Sequence, residues 1–384
     1  LGIGSTGLIP SHFPNISLDN PNTWHNSKFA LLSGGFGGET IIPNSGLANT
    51  IVDLSRIQLI LPVKGKYALG LDLSPITDGN YWLKTISSEL FVSDDTLTSF
   101  REIEGAGGIN SMRLSFSFPL TEYEQNGLAI HILFGSSRHN SIFDIEGTEY
   151  IYSRHLSYSG LSLVYYLSSS RYKFKRYPIN LHGSIGFSLS PLKLKSIQYH
   201  LFEDANGNGY YDSFVDSPYM TSDDSRIESS YSDVQNPFEI KIGYDLELES
   251  QLHLTGEISY LNANIELPNL LRPLNGTVYN SIKHVNFGAI KFARKIPREW
   301  YQYFHYRAGL YLDQRSIQGY GENLVETGLS LGLGFRFGFT NNQIDLAYSN
   351  GSRKGPLSTT NERIERFRIQ VTLGDIWFVK RRAR

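Results

Sequence analysis

Apolar and polar side chains alternate one for one along most of the chain from Lys28 onward. Segment 364–373 shows the pattern in full. Phe367, Ile369, Val371 and Leu373 fall on one parity, and Arg366, Arg368, Gln370 and Thr372 on the other. Successive side chains of an extended strand point to opposite faces, so this strand has one apolar and one strongly polar face. The unit recurs in pairs. Ile57, Leu59 and Leu61 precede Leu69, Leu71 and Leu73; Met112, Leu114 and Phe116 precede Leu128, Ile130 and Ile132. Further pairs fall at 161–167 with 179–187, 240–248 with 252–260, a less regular segment near 284 with 304–312, and 329–337 with 344–348. Adding an opening strand near 27–36 and the closing strand gives about fourteen, an even number as outer-membrane barrels require.

Connections alternate in length. Short turns join the members of each pair, as at 62–66, 249–250 and 341–342. Longer polar segments at 74–108, 135–156, 188–237, 262–282 and 350–362 join one pair to the next. Short turns on one rim and long loops on the other are the rhythm of an outer-membrane barrel, with both chain ends on the short-turn, periplasmic side. A propeller would need a blade-length repeat, and none is seen.

The alternation fits two inversions. A soluble sheet turns the apolar face inward, whereas a membrane barrel turns it to lipid and keeps a polar lumen. Arg56, Asp72, Arg113, Lys241, Asp245, Glu257, Arg307, Arg336, Arg366 and Arg368 all lie on the parity opposite the apolar residues. A cation facing lipid at mid-membrane costs about 2–4 kcal/mol, so in a barrel these ten line the lumen. On a soluble sandwich they would simply be solvated, so parity alone leaves both folds open and loop rhythm favours the barrel. The expected fold is all-β: a closed antiparallel transmembrane β-barrel of about fourteen strands over 25–384. Residues 1–24, rich in Gly, Pro and Asn and without a period, form a short N-terminal plug, and 189–236 a long extracellular loop.

Composition narrows the classes. The 384 residues carry 35 basic and 37 acidic side chains, which gives no nucleic-acid footprint. Absence of cysteine excludes disulfides and thiolate metal sites. Mean hydropathy of −0.25 and the lack of any apolar run near about 18 residues exclude a helical membrane protein. With 24 Tyr, 22 Phe and 36 Gly, the composition suits a β-rich chain with aromatic belts. The expected location is the bacterial outer membrane, with a signal peptide already removed before Leu1.

The sharpest local motif runs 204–212. Asp204, Asn206 and Asn208 with Gly209, Tyr210 and Asp212 match the first nine positions of an EF-hand-type loop. Ca²⁺ seeks six to eight oxygens, which gives the spacing a physical reason. Position 12 is Val215, with Asp216 one residue late, and an Asn-Gly turn series would look the same. Gly328, Ser330 and Gly332 match a nucleophile elbow, but inside an alternating strand they read as small residues relieving crowding. His131, His182, His253 and His305 show no ligand spacing and read as polar lining. A carboxylate pair for glycoside hydrolysis needs a separation that a sequence does not give, so no enzyme is expected. The tail Lys380, Arg381, Arg382 and Arg384 suits anionic head groups, a partner or solvent, and Trp377 and Phe378 an interfacial girdle.

Several segments resemble FadL-type outer-membrane transporters. LGIGSTG at 1–7 and LDNPNTW at 18–24 are similar to their N-terminal hatch, where an Asn-Pro-Ala segment precedes the first strand. LPVKGKYALGLDLSP at 61–75 resembles their first short-turn hairpin, and GAGGIN at 105–110 the entry to the next strand. GDIWFVKRR at 374–382 resembles the ends of PorV-like and FadL-like barrels of Bacteroidota-type bacteria. These motifs cover about a sixth of the chain. The resemblance implies a plugged fourteen-stranded barrel whose plug path is fixed by Asn20 and Pro21. It implies passive transport or binding of small hydrophobic molecules or, for the PorV-like branch, an accessory subunit serving other outer-membrane or secreted proteins. Expected partners are outer-membrane lipids, a hydrophobic small molecule and such subunits. Asn22 stands where the motif has Ala, and the charged lumen departs from a simple fatty-acid conduit.

Overall fold

The computed structural model describes residues 2–4, 6–44, 48–63, 66–84, 88–92, 95–145, 148–208, 211–218, 226–248, 251–263, 279–294, 296–317, 323–338, 340–355 and 361–376. The strands, in chain order, are β1 (Ala30–Pro43), β2 (Asn49–Val63), β3 (Tyr67–Asp78), β4 (Tyr81–Lys84), β5 (Ser88–Val92) and β6 (Asp95–Pro119). Next come β7 (Glu124–Ile145), β8 (Thr148–Phe174), β9 (Tyr177–Glu203), β10 (Ser217–Pro218), β11 (Arg226–Gln235) and β12 (Phe238–Glu247). The last are β13 (Leu252–Asn262), β14 (Tyr279–Lys291), β15 (Phe304–Ile317), β16 (Asn323–Phe337), β17 (Asn342–Lys354) and β18 (Asn361–Asp375). Fourteen of them close an antiparallel ring, in which β1 pairs with both β2 and β18. The other four lengthen the wall: β4 and β5 pair with the upper part of β6, and β10 and β11 with that of β9.

The barrel has the membrane inversion. Phe367, Leu331 and Ile242 face outward with 39%, 60% and 63% of their surface exposed. Their neighbours Gln370, Ser330 and Asp245 are buried on the inner face. An apolar belt on the outside and polar groups within suit hydrocarbon as the surrounding solvent.

Three predicted long connections are largely strand. β4, β5 and the start of β6 take up much of 74–108, β7 and β8 pair as far as Ile145 and Thr148, and β9 and β11 take up much of 189–236. At 27 residues, β8 and β9 far exceed the roughly 9–11 that a tilted strand needs to cross a bilayer. Strands β6–β9 therefore stand well above the rest of that rim. On the opposite rim β14 and β15 are joined not by a tight turn but by 292–303, which ends in a single helical turn at Trp300–Tyr303.

The wall bends where β3 meets β6. The pairing shifts register between Pro75 and Thr77, as expected where proline lacks an N–H. Side chains take over the missing acceptors. Ile109 N–H donates to the Thr77 hydroxyl (3.0 Å), and Gly107 N–H to Asn80 Oδ1 (3.2 Å). Gly107 and Gly135 adopt φ of +92° and +153° across the β6–β7 pair. A Cβ on either would stand 2.2 Å from a carbonyl oxygen of the facing strand. Only glycine fits such a bend.

Candidate functional site: the lumen and the segment inside it

The N-terminal segment lies within the ring and touches most of its strands. Ile3 packs against Ile290, with its backbone close over Gly309. Thr6 N–H donates to Glu257 on β13 (3.1 Å). Leu8 joins Ala129, Val164 and Tyr166 from β7 and β8. Ser11 O accepts from Arg307 on β15 (2.6 Å), and His12 Nε2 lies 2.9 Å from Asp345 on β17. Ile16, Leu18 and Trp24 form a cluster with Leu31, Ile60 and Ala68 from β1–β3. No run of this segment is periodic, because its apolar side chains are received by different parts of the wall.

Asn20 and Pro21 set its last turn. The Asn20 side chain accepts from Asn22 N–H (3.2 Å) and so caps the 3-10 helix Pro21–Asn26, whose first position proline suits. Asn20 Nδ2 donates to Leu8 O (3.0 Å). Asn22 is fully buried and donates to the Ser168 hydroxyl (3.3 Å), which gives the amide at this position a partner that alanine would lack.

Most of the predicted lumen residues meet charged or polar partners. Arg56 Nε lies 2.8 Å from Asp72, and Arg113 Nη2 3.8 Å from it. Both guanidiniums also reach Asp19 of the inner segment. Burial works against ionisation of Asp19, but Arg56 and Arg113 outweigh it and hold the carboxyl below the usual carboxylate range. Asp245 pairs with His253 Nδ1 (2.8 Å), Lys241 with Glu239 (3.1 Å), and Glu257 with Thr6. Arg307 Nη1 lies 2.6 Å from Asp345, both fully buried. Arg366 joins Glu326 and Glu39. Arg336 stacks over Phe13 at 4.1 Å, at the short-turn rim. There Phe292 lies edge-on to both His253 (4.8 Å) and His305 (5.6 Å). Arg368 faces the cavities.

The four histidines stand apart. His131 pairs with Ser111, His182 with Ser168, His253 with Asp245, and His305 accepts from Ala293 N–H. Ser330 is buried inside β16. Tyr311 lies across Gly328 and Gly351, either of which would bring a Cβ within 2.6 Å of it. The small residues make room for Tyr311 and for Gly2, as the alternation suggests. The reading missed Asp19, His12 and Glu326. Glu326 was accessible to it: on lumen parity it stands directly opposite Arg353, which donates to it at 2.9 Å.

Three cavities occur in series. One of about 500 Å³ lies between residues 2–6 and β13–β18, and shares Thr6 and Arg368 with a second of about 440 Å³. The second shares Ser74 and Pro75 with a third, of about 490 Å³, at the bend of β3. The third is lined by polar Asn110 and Ser136 and by outward-facing Leu54, Leu73 and Phe134.

The described parts of the 204–216 loop, 204–208 and 211–216, are held by carboxylate-to-backbone bonds. Asp204 Oδ1 accepts from Gly207 N–H (2.9 Å), and buried Asp216 accepts from Ala205 and Asp212 N–H groups (3.1 and 2.6 Å). Asp216, one residue past position 12 of the motif, thus ties Ala205 to Asp212 through its carboxylate. Tyr210 lies outside the described residues, as do Trp377, Phe378 and the basic tail. Among the described residues no group of three His, Asp or Glu is arranged to hold a metal.

A family model described as BamG matches residues 3–383. No curated protein matches. The fold is that of a Pseudomonas aeruginosa FadL homologue, at 12% identity and TM-score 0.61 over 98% of this chain and 97% of that one. It is also that of the Ralstonia pickettii toluene transporter TbuX (12%, TM-score 0.57, 97% and 96%). A third likeness is to the CymD monoaromatic hydrocarbon channel (13%, TM-score 0.56, 98% and 97%).

Proposed function

The chain belongs to the BamG family, and from that premise we propose that it is an outer-membrane conduit for small hydrophobic molecules, with the N-terminal segment as its plug. The observation that carries this reading is the series of three cavities. They lead from the upper lumen, past Thr6 and Arg368, to a bend whose outer lining is apolar. A polar lumen is a poor path for a hydrocarbon along its whole length, and a side exit toward lipid shortens that path. Likeness in fold to channels titled for toluene and monoaromatic hydrocarbons supports the same class of solute. Ser74 lies where two of the cavities meet, so Ser74→Trp should close the route. Uptake of radiolabelled toluene by cells with a lipopolysaccharide outer leaflet is expected to fall to that of cells lacking the protein. Phe214→Ser, at an almost fully exposed site, should leave it unchanged. Undiminished uptake in Ser74→Trp would remove this reading.

The ion pairs that tie the inner segment to the wall, Asp19 with Arg56 and His12 with Asp345, favour a second one. In it the barrel is sealed and serves as an accessory, PorV-like subunit of a surface-assembly or secretion complex. A stoichiometric protein partner in preparations from native membranes, without toluene uptake, would decide for it.

We further infer that the 204–216 loop takes Ca²⁺ through Asp204, Asn206, Asn208, Tyr210 and Asp212. The donors are hard oxygens, as the ion prefers. Ca²⁺ should protect this segment from protease, chelation should reverse that, and Asp204→Ala with Asp212→Ala should abolish it. Equal cleavage with and without Ca²⁺ would discard the site.

A further inference from the structure

Arg368 is a lumen cation left unmatched among the described residues. It sits on β18 between Gly37 of β1 and Ala347 of β17, on the inner face, and is exposed there. Among the described residues it forms no hydrogen bond or ion pair. The carboxylates of the two flanking clusters are already taken. Asp19 and Asp72 each lie within reach of both Arg56 and Arg113. Glu39 and Glu326 are each shared by Arg353 and Arg366. A guanidinium between two saturated clusters leaves a local excess of positive charge in a confined, partly dry space. Such a group presents a rigid fork of donors that matches a carboxylate in two parallel hydrogen bonds.

Its position adds to this. Arg368 lines both the 500 Å³ and the 440 Å³ cavity, and the other residue common to them is Thr6. Anything moving between the two passes this waist. The Thr6 amide and hydroxyl are turned to Glu257, so the donor left free at the waist is Arg368.

We propose that Arg368 is an anion-binding residue of the lumen, and that the ligand it selects carries a carboxylate. The anion forms the paired hydrogen bonds that the protein's own acids do not supply to Arg368, while its remaining atoms occupy one of the two cavities. The carboxylate's route to the waist depends on the conduit reading; its binding there does not.

The test uses 4-iodobenzoate with the full chain in detergent. Titration should show saturable binding, and anomalous scattering should place the iodine in one of the two cavities beside Arg368. Arg368→Gln should weaken binding by at least about tenfold, the scale of a lost charge-assisted pair. Arg368→Lys should weaken it less, because it keeps the charge and loses the fork. The neutral 4-iodobenzyl alcohol should bind wild type and Arg368→Gln alike. Competition separates the sources of the carboxylate. Displacement by acetate means that a free small carboxylate suffices; displacement by hexanoate alone means that an apolar tail is also read. Retention of the compact, heat-modifiable band in both variants controls for folding. Equal binding of 4-iodobenzoate by wild type and Arg368→Gln, or iodine found away from the waist, overturns the assignment. Carboxylate binding without toluene uptake would leave the site standing and remove the conduit; toluene uptake without carboxylate binding would do the reverse.

Discussion

Trp24→Ala is expected to cost about 3–5 kcal/mol, the range for emptying a well-packed aromatic site. The indole is fully buried among Ile16, Leu18, Leu31, Ile60 and Ala68, where the inner segment meets the wall. Three further contacts fix it. Its N–H donates to Ser17 O (2.7 Å), the Arg113 guanidinium lies 5.9 Å from its ring, and an edge of its six-membered ring meets Gly70. A Cβ at Gly70 would stand 2.3 Å from the indole, so Gly70→Val should act on the same contact from the other side. Trp24→Phe should lose less than Trp24→Ala, since a ring remains while the bond to Ser17 goes. The readout is the urea midpoint for loss of the compact, heat-modifiable band. A Trp24→Ala midpoint corresponding to less than about 0.5 kcal/mol, the size of an ordinary surface change, would mean that the segment is not held by this anchor.

The contrast between wall and inner segment explains what was legible in the sequence. Parity has two values, and lipid on one side against polar contents on the other forces a choice at every residue of a crossing strand. Phe367, Arg366, Ile242 and Lys241 could therefore be assigned to faces without knowing any contact. Alternation of turns and long segments gave the strand count, because six of the pairs and the two ends form the ring as read. The signal fades where that solvent contrast ends. In 136–144, which reads Ser-Ser-Arg-His-Asn-Ser-Ile-Phe-Asp, β7 has left the belt and both faces meet polar surroundings, so the stretch looked like loop. Residues 2–27 had no period to read, since Ile3, Leu8 and Trp24 are received by different strands.

Partners were harder to read than faces. Asp72 stands directly across from Arg113 and Glu326 from Arg353, so register and parity together would have paired them. Asp19 has no register, and its engagement with Arg56 follows only from the path of the inner segment. Arg368 is the converse. Parity placed it in the lumen, but its lack of a partner emerges only once every neighbouring carboxylate is accounted for.

Asp345→Ala should be as damaging as the loss of Trp24, for an electrostatic reason. Arg307 and Asp345 are both fully buried, 2.6 Å apart. Asp345 also accepts two bonds from the Gln343 amide Nε2 (2.8 Å each) and approaches His12 at 2.9 Å. Removing one member of a buried pair leaves the other charge without compensation and costs about 3–5 kcal/mol. Taking away both charges removes that penalty, so Arg307→Met with Asp345→Leu should recover more than half of the loss. His12→Ala should cost less than either, because burial already holds that imidazole below its usual range, against the pull of Asp345. A double variant no more stable than Asp345→Ala would show that shape and the Gln343 bonds, rather than the stranded Arg307 charge, account for the loss. Urea midpoints for wild type, Arg307→Met, Asp345→Leu and the double variant form one double-mutant cycle, with Asp345→Ala and the His12 variant as outside references. The same comparison bears on function. Arg307 also donates to Ser11 O, so a weakened pair loosens the inner segment at the short-turn mouth. If that segment is the plug, Asp345→Ala should raise toluene uptake even as it lowers stability, whereas Trp24→Ala, acting at the other end of the segment, should give the two effects in the same proportion only if the plug moves as one piece.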